Sequence, residues 1–504
     1  MAKALMIQGT GSGAGKSLIA AALCRIFSNK GIDVAPFKAQ NMALNSFITM
    51  EGGEIGRAQA LQAEASRTAA TVDMNPVLLK ASGEAGSQVI IHGKVLSMMK
   101  AKEYYAFRKE AWEAVRTSYD RLSNRHDLII MEGAGSPAEI NLMNVDIVNM
   151  SAAKYAKAPV LLVGDIDKGG VFASIYGTVR LLGRDSRHIK GFIINKFRGD
   201  MGILEPGLEM IKEKTGKPVA GVLPYFSDLG LPEEDGLSLG HGTRTGVHGT
   251  GEIKVVVVRL KYISNFTDFD PLSAEPDVEL VYSKSPADIE NADLVIIPGS
   301  KNTVKDLLFL RESRLEESIK RAFAKGVQIT GICGGYQMLG RKIFDPCGIE
   351  SPHQEVKGLG LLDIETSFEN EKTTTQVEAE LLQGSGLGVQ ASPGGSHSLK
   401  GYEIHMGNST GDIGLFSLKR ISSASAQSLD GSRNKNCWGT YLHGIFENNH
   451  FRRDLLNRLR EKKGLEPVSD VADYAGLKEK ALDRLAELVR ENLDIEFIER
   501  MLKL

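Results

Sequence analysis

Cysteine is scarce: the 504 residues contain four, Cys24, Cys333, Cys347 and Cys437. That number builds no disulfide framework, and no pair has the spacing of a zinc site. A reducing cytoplasm is the expected compartment. An excess of charge of one sign is missing too. With 61 Lys and Arg against 63 Asp and Glu, the formal net charge is −2, so no basic field favours nucleic acid or an anionic membrane surface. Long apolar runs are absent: Val255-Val-Val-Val258 and Pro159-Val-Leu-Leu-Val163 are strand-sized and do not span a bilayer. A strand is expected within four residues of the start, which leaves no room for a signal peptide. Apolar content of 42% and charged content of 25% are ordinary for a globular chain long enough for two or three domains.

What the chain has is glycine in particular places. Ala4-Leu-Met-Ile-Gln8 runs into Gly9-Thr10-Gly-Ser-Gly13-Ala-Gly15-Lys16-Ser17, and an apolar helical period follows at Leu18, Ile19, Ala22, Leu23, Ile26 and Phe27. Strand, glycine-rich turn and helix are the context of a phosphate loop. Backbone N–H groups from Gly9, Thr10, Gly13 and Gly15 are expected around a polyphosphate, and the helix N-terminus adds its positive end. Lys16 is expected on the outer phosphates and Ser17 on Mg²⁺. The first glycine lies one position further from Gly15 than in the common form of this loop.

Up to about residue 225, strands read at 4–8, 33–37, 127–131, 159–164, 189–194 and 218–222 alternate with helices at 16–29, 104–124, 171–183 and 203–215. The alternation predicts a doubly wound parallel sheet, with ligands at the carboxyl ends of its strands. Lys38 stands at one such end, either on a phosphate or the activated carboxylate, or as a solvated lysine. Glu132 closes another and is followed by Gly-Ala-Gly135, where a carboxylate for Mg²⁺ belongs. Asp146 reads equally as a helix cap or as a carboxylate facing the site. Asp165, Asp167 and Lys168, before Gly169-Gly170, form another candidate site loop for substrate or acyl phosphate. Asn195 and Lys196 stand where a nucleotide base is often read, with a plain loop the better reading.

Residues 226–251 turn rich in Gly, Thr, His and Ser and read as a linker, with His241 and His248 solvated rather than metal-bound. A second α/β unit is expected over 252–450, and terminal helices over 451–504. Its strand 293–297 ends in Pro298-Gly299-Ser300, and its strand 327–330 runs into Gly331-Ile-Cys333-Gly334-Gly335. Glycine on both sides of a cysteine, between strand and helix, predicts a nucleophile elbow with a helix N-terminus favouring the thiolate. N–H groups near Gly299 and Gly334 are placed for an oxyanion. A thiol nucleophile needs an imidazole. His443, in Leu442-His443-Gly444, is the candidate, and His405 the rival with a structural or site-lining role. Cys24, Cys347 and Cys437 lack such a context and read as structural.

The long phosphate loop resembles that of dethiobiotin synthetase, which uses ATP to activate a carboxylate. The second half resembles the class I, triad-type glutamine amidotransferases through Pro298-Gly-Ser, Gly331-Ile-Cys-Gly-Gly335 and Leu442-His443-Gly. It departs from them after the histidine: that class has His-Pro-Glu, whereas Gly444-Ile445 follows His443, so the third acid is missing locally. The two halves joined resemble the cobyrinate-amidating family, and this departure is itself a feature of that branch. Glu132-Gly-Ala-Gly-Ser-Pro-Ala-Glu-Ile-Asn-Leu142, Asn75-Pro-Val-Leu-Leu-Lys80, Gly164-Asp-Ile-Asp-Lys-Gly-Gly170 and Gly401-Tyr-Glu-Ile-His405 are similar to the branch that amidates the a,c-diamide, not the one that makes it. The resemblance implies a dethiobiotin-synthetase-like P-loop domain and an amidotransferase domain, use of ATP and Mg²⁺, and glutamine and corrinoid substrates. It implies four amidations, at the b, d, e and g side chains of adenosylcobyrinic acid a,c-diamide. The other readings are an amidoligase of the same build acting on another poly-acid, the a,c-diamide-forming branch, a partitioning-type ATPase switch, which has no use for a thiol, and a non-enzymatic scaffold, which has no use for intact Lys16, Glu132, Cys333 and His443. No oligomeric state follows from the sequence.

Overall fold

The computed structural model describes residues 2–81, 86–226, 229–232, 244–245, 251–382, 387, 398–421 and 427–504. Most of the 226–251 linker, with His241 and His248, lies outside the described residues. The chain forms two compact units. One comprises Met1–Ala43, Glu54–Leu231 and Leu477–Leu504; the other comprises Leu44–Gly53 and Pro232–Gly476.

The first unit is built on six parallel strands in the order Val219–Pro224, Ile189–Phe197, Val160–Asp165, Lys3–Gly9, Leu128–Glu132, Val34–Phe37. Near-continuous apolar sequence in the inner strands matches a sheet covered on both faces, and Leu5, Met6 and Ile7 are fully buried. Lys3–Gly9 pairs with Leu128–Glu132 on one side and Val160–Asp165 on the other, with Ile7 opposite Glu132 and Gly9 opposite Val163. That register brings the phosphate loop, Glu132 and Asp165 to one edge. A smaller sheet of Gln40–Met42, Val77–Ala81, Ser87–Ile91 and Lys94–Met99 is inserted after the second strand.

In the second unit, the strands Val278–Ser283, Ile253–Val258, Leu294–Ile297, Gln328–Ile332 and Cys437–Thr440 run parallel, with antiparallel strands Arg244–Thr245 and Ser432–Asn434 at the edges. A second sheet centres on the long antiparallel pair Ile364–Leu381 and Ser398–Gly411. Both units are thus α/β folds, as the alternation predicts.

The division differs from the sequence reading in two places. The terminal segment 451–504 is split. Helix Asn449–Lys462 stays with the second unit, while Leu482, Leu485, Val489 and Ile498 join the core formed by helix Lys16–Asn29. Buried Arg25 on that helix holds the returning segment through Asp483 at 2.8 Å and through Glu479. Residues 44–53 belong to the second unit although the chain around them belongs to the first.

Candidate active sites

In the first unit the loop between Lys3–Gly9 and helix Lys16–Asn29 has the backbone a phosphate cradle needs. Gly15 has φ +94°, and a Cβ there would strike the Asn195 amide. Asn195 Nδ2 donates to the Ala14 carbonyl at 2.8 Å, and Lys196 Nζ donates to the Gly13 carbonyl at 2.7 Å and pairs with Asp165 at 2.9 Å. Both residues, read as plain loop from sequence, therefore brace the phosphate loop. Lys16 is buried, its Nζ donating to the Gly11 and Gly135 carbonyls at 2.9 and 3.3 Å.

Glu132 gathers the polar groups. Ser17 Oγ donates to its Oε1 at 2.8 Å and Lys38 Nζ donates to the same oxygen at 2.7 Å. Gln62 Nε2 donates to Oε2 at 2.7 Å, with Gln59 at 3.5 Å. Burial alone would raise the pKa of this carboxylate, which is 1% exposed, but the Lys38 charge and the hydrogen bonds from Lys38, Gln62 and Ser17 hold it below the ordinary value. Lys38 is thus a buried partner of Glu132 and no solvated lysine. A hydroxyl and an ionised carboxylate 2.8 Å apart suit Mg²⁺, which takes its other ligands from phosphate and water. Among the described residues no group of three His, Cys, Asp or Glu could hold a metal unaided.

Asp146 takes the capping alternative: its oxygens accept from the amides of Val148, Asn149 and Ser151 at 3.0, 2.8 and 2.8 Å. Asp165 accepts from the Asp167 amide at 3.0 Å, Lys168 Nζ reaches the Ser12 carbonyl at 3.3 Å, and Asp167 pairs with Arg198 at 3.4 Å. This loop therefore lies against the phosphate loop.

In the second unit, Cys333 sits between strand Gln328–Ile332 and helix Gly334–Leu339 with φ +52° and ψ −108°. A non-glycine residue held there is strained by about 1–3 kcal/mol, a cost that clusters at functional positions. The turn leaves no room for a side chain at Gly335, where a Cβ would enter the Ile297 carbonyl. Cβ positions built on Gly299 and Gly334 lie 3.3 Å from His443 Cε1 and 2.9 Å from the Ser300 nitrogen, respectively. The two turns and the imidazole thus converge.

His443 follows strand Cys437–Thr440. Its backbone pairs with Tyr402, whose ring stacks on the imidazole at 5.1 Å between centroids and 11° between planes. His443 Nδ1 bonds Asp268 Oδ2 at 2.6 Å, and both groups are buried. Burial would lower the imidazole pKa, but Asp268 and Cys333 together push it up to about 10. Among the described residues Nε2 finds no hydrogen bond of ordinary geometry, and Cys333 Sγ lies 3.5 Å from the Ile404 carbonyl. Catalytic hydrogen bonds of this kind tighten when substrate binds.

The acid absent after His443 is therefore supplied from far away in sequence. Asp268 lies in Asn265-Phe-Thr-Asp-Phe-Asp270, which carries no motif of its own. A signal is present in the sequence: this segment follows the carboxyl end of a central strand, Ile253–Val258, where site residues gather in α/β sheets. His405 is no rival base. Its Nδ1 bonds the Gly407 carbonyl at 3.0 Å, its Nε2 faces Glu403 at 3.4 Å, and its ring stacks on Tyr441. Cys24 and Cys437 are buried, and burial raises both thiols, Cys24 to about 12.

A phosphate cradle in one α/β unit and a cysteine–histidine–aspartate constellation in another define the class: an ATP-dependent ligase fed by a glutamine amidotransferase. Residues 5–239 match the CobQ/CobB/MinD/ParA nucleotide binding domain, and residues 254–451 match the CobB/CobQ-like glutamine amidotransferase domain. The chain is 51% identical to the cobyric acid synthase of Thermodesulfovibrio yellowstonii, covering 98% of each chain. It is 50% identical to that of Thermoanaerobacter sp., again over 98% of each, and 47% identical to that of Syntrophobacter fumaroxidans, over 100% of this chain and 99% of the other. A solved glutamine amidotransferase covers 42% of this chain and 99% of its own at 15% identity and a TM-score of 0.30. The chain belongs to the cobyric acid synthase family. No helix among the described residues is long and apolar enough to cross a membrane.

Proposed function

We propose that this enzyme amidates the b, d, e and g carboxylates of adenosylcobyrinic acid a,c-diamide, using ATP and glutamine, to give adenosylcobyric acid in the cytoplasm. The observation that carries the reading is the pairing, in one chain of this family, of the Ser17–Glu132 pocket beside the phosphate loop with the His443–Asp268 pair beside Cys333.

Cys333 Sγ attacks the carboxamide carbon of glutamine, and His443 Nε2 holds the thiol proton and returns it to the leaving ammonia. Asp268 fixes the ring and stabilises the imidazolium. Backbone N–H groups near Gly299 and Gly334 receive the oxyanion. Water then hydrolyses the thioester to glutamate. In the other unit, ATP held with Mg²⁺ by the Gly9–Ser17 loop and Glu132 supplies the phosphoryl group that turns a corrinoid carboxylate into an acyl phosphate. Lys16 and Lys38 neutralise charge there, and Lys168, Asp165 and Asp167 line the loop next to it. Ammonia displaces phosphate and leaves the amide.

Phosphate release is measured with ATP and glutamine, in the presence and absence of adenosylcobyrinic acid a,c-diamide, while product mass is followed. The expected result is corrinoid-dependent release and stepwise mass changes of carboxylate-to-amide conversion. An unchanged corrinoid, with glutamine hydrolysis and ATP binding intact, would redirect the reading to another poly-acid.

A further inference from the structure

Residues that hold the loop carrying Asp268 come from a distant part of the chain. After Ala43 the chain leaves the first unit, contributes Leu44–Gly53 to the second, and rejoins the first at Glu54. Within the second unit this stretch bonds the Asp268 loop twice. Asn45 Oδ1 accepts from the Phe266 amide at 3.2 Å, and the Ser46 amide donates to Asn265 Oδ1 at 3.1 Å. Asn265 Nδ2 donates to the Tyr402 hydroxyl at 3.1 Å, and that hydroxyl donates to Asp268 Oδ1 at 3.3 Å. Tyr402 is the ring stacked on His443. Further along, Phe47 meets Tyr402 at 6.3 Å between centroids, Ile48 packs with Tyr402 and Ile404, and the Ile48 and Gly52 carbonyls accept from Gln376 and Thr374. Asn45, Ser46 and Asn265 are buried, so these bonds work where water does not compete for them.

Within the first unit, the chain on either side of this stretch belongs to the Glu132 pocket. Lys38 precedes it; Gln59 and Gln62 follow it, and all three donate to Glu132. Asn41 Nδ2 donates to Gln59 Oε1 at 2.9 Å, tying the two flanks together.

We propose that Leu44–Gly53 is a positioning strap for the glutaminase triad. Asn45 and Ser46 set the loop that carries Asp268 and, through Asn265 and Tyr402, the plane of His443. In the sequence the strap lies between residues that build the phosphate site, so residues that set the glutaminase geometry are encoded within the synthetase portion of the sequence. The proposal rests on Cys333 and His443 being the glutaminase site.

The test uses the full-length wild type, Asn45→Ala and Asn45→Asp. Glutamate release without ATP or corrinoid should fall in kcat by on the order of tenfold or more in Asn45→Ala, because small displacements of a catalytic group cost that much, with KM within about twofold. Asn45→Asp keeps the acceptor oxygen and should retain at least about half of the wild-type kcat. Alkylation of Cys333 by iodoacetamide, read by mass, should slow in parallel in Asn45→Ala. Amide synthesis with ammonium salt should be unchanged in both variants. Wild-type turnover of glutamine by Asn45→Ala would overturn the proposal, as would equal loss in the two variants or an equal loss with ammonium. Absence of glutamate release from the wild type would sink the glutaminase reading and the strap with it.

Discussion

At His443 the ring nitrogen Nδ1 is committed to Asp268 Oδ2 at 2.6 Å, so in the proposed mechanism Nε2 is the atom that exchanges a proton with Cys333. Replacing Asp268 with Asn removes the charge that steadies the imidazolium while keeping the shape. Glutamine hydrolysis should fall by on the order of 10²-fold or more, with ammonium-supported synthesis unchanged. The pH profile has a definite sign. Burial lowers the imidazole pKa, whereas Asp268 and Cys333 raise it to about 10, so the protonated ring persists into alkaline solution. Without Asp268 it loses its proton at lower pH, and the alkaline limb of glutamate release should move down. At Gly15, φ is +94° and an added Cβ would strike Asn195. Gly15→Ala should therefore lose nucleotide affinity by about tenfold or more, which calorimetric titration with ATP and Mg²⁺ would reveal, while glutamine hydrolysis continues.

Between elements, the second unit is pinned by charges buried under helix Asn449–Lys462. Arg452 donates to Glu275 at 2.6 Å, Arg453 to Glu275 at 3.0 Å and to Asp277 at 2.9 and 2.8 Å, and Arg460 to Asp277 at 3.0 Å. Glu275→Ala takes the carboxylate from buried Arg452 and one of the two carboxylates from buried Arg453, and should cost about 3–5 kcal/mol, measured by denaturant unfolding. Burial pushes the Asp277 pKa up, but Arg453 and Arg460 bring it below the ordinary carboxylate value. Its contribution is therefore present above that ordinary value and lost as pH falls through the lowered one. None of this is legible in sequence, because the partners are about 180 residues apart and a charged terminal helix looks like a solvated one. The six parallel strands of the first unit were legible, since apolar runs separated by helical periods encode themselves locally. So were Lys16 and Ser17, which open a helix after a glycine-rich loop, and Glu132 and Cys333, each at a strand end marked by glycine. The pairing of Asp268 with His443, the strap at 44–53 and the return of Leu477–Leu504 to the first unit depend on tertiary pairing, which leaves no local period.

For the whole molecule, the consequence of two units is that nitrogen supply and carboxylate activation can be cut separately. Cys333→Ala removes the nucleophile at the elbow but nothing from the phosphate cradle, so synthesis with glutamine should fall by more than about 10³-fold while synthesis with ammonium salt persists. Lys16→Ala does the reverse. Its Nζ lies against the Gly11 and Gly135 carbonyls of the cradle, and without it charge on the transferred phosphoryl group goes unmatched. Synthesis should be lost with either nitrogen source, by on the order of 10²-fold or more, and glutamate release without ATP should remain. The comparison is made by product mass and glutamate release on the same preparations. Equal loss of both activities in Cys333→Ala would mean that the thiol serves the synthetase chemistry as well, and the division of labour between the units would fall. The strap sharpens the contrast: Asn45→Ala should copy the Cys333→Ala pattern in milder form, although residue 45 stands among synthetase residues in the sequence.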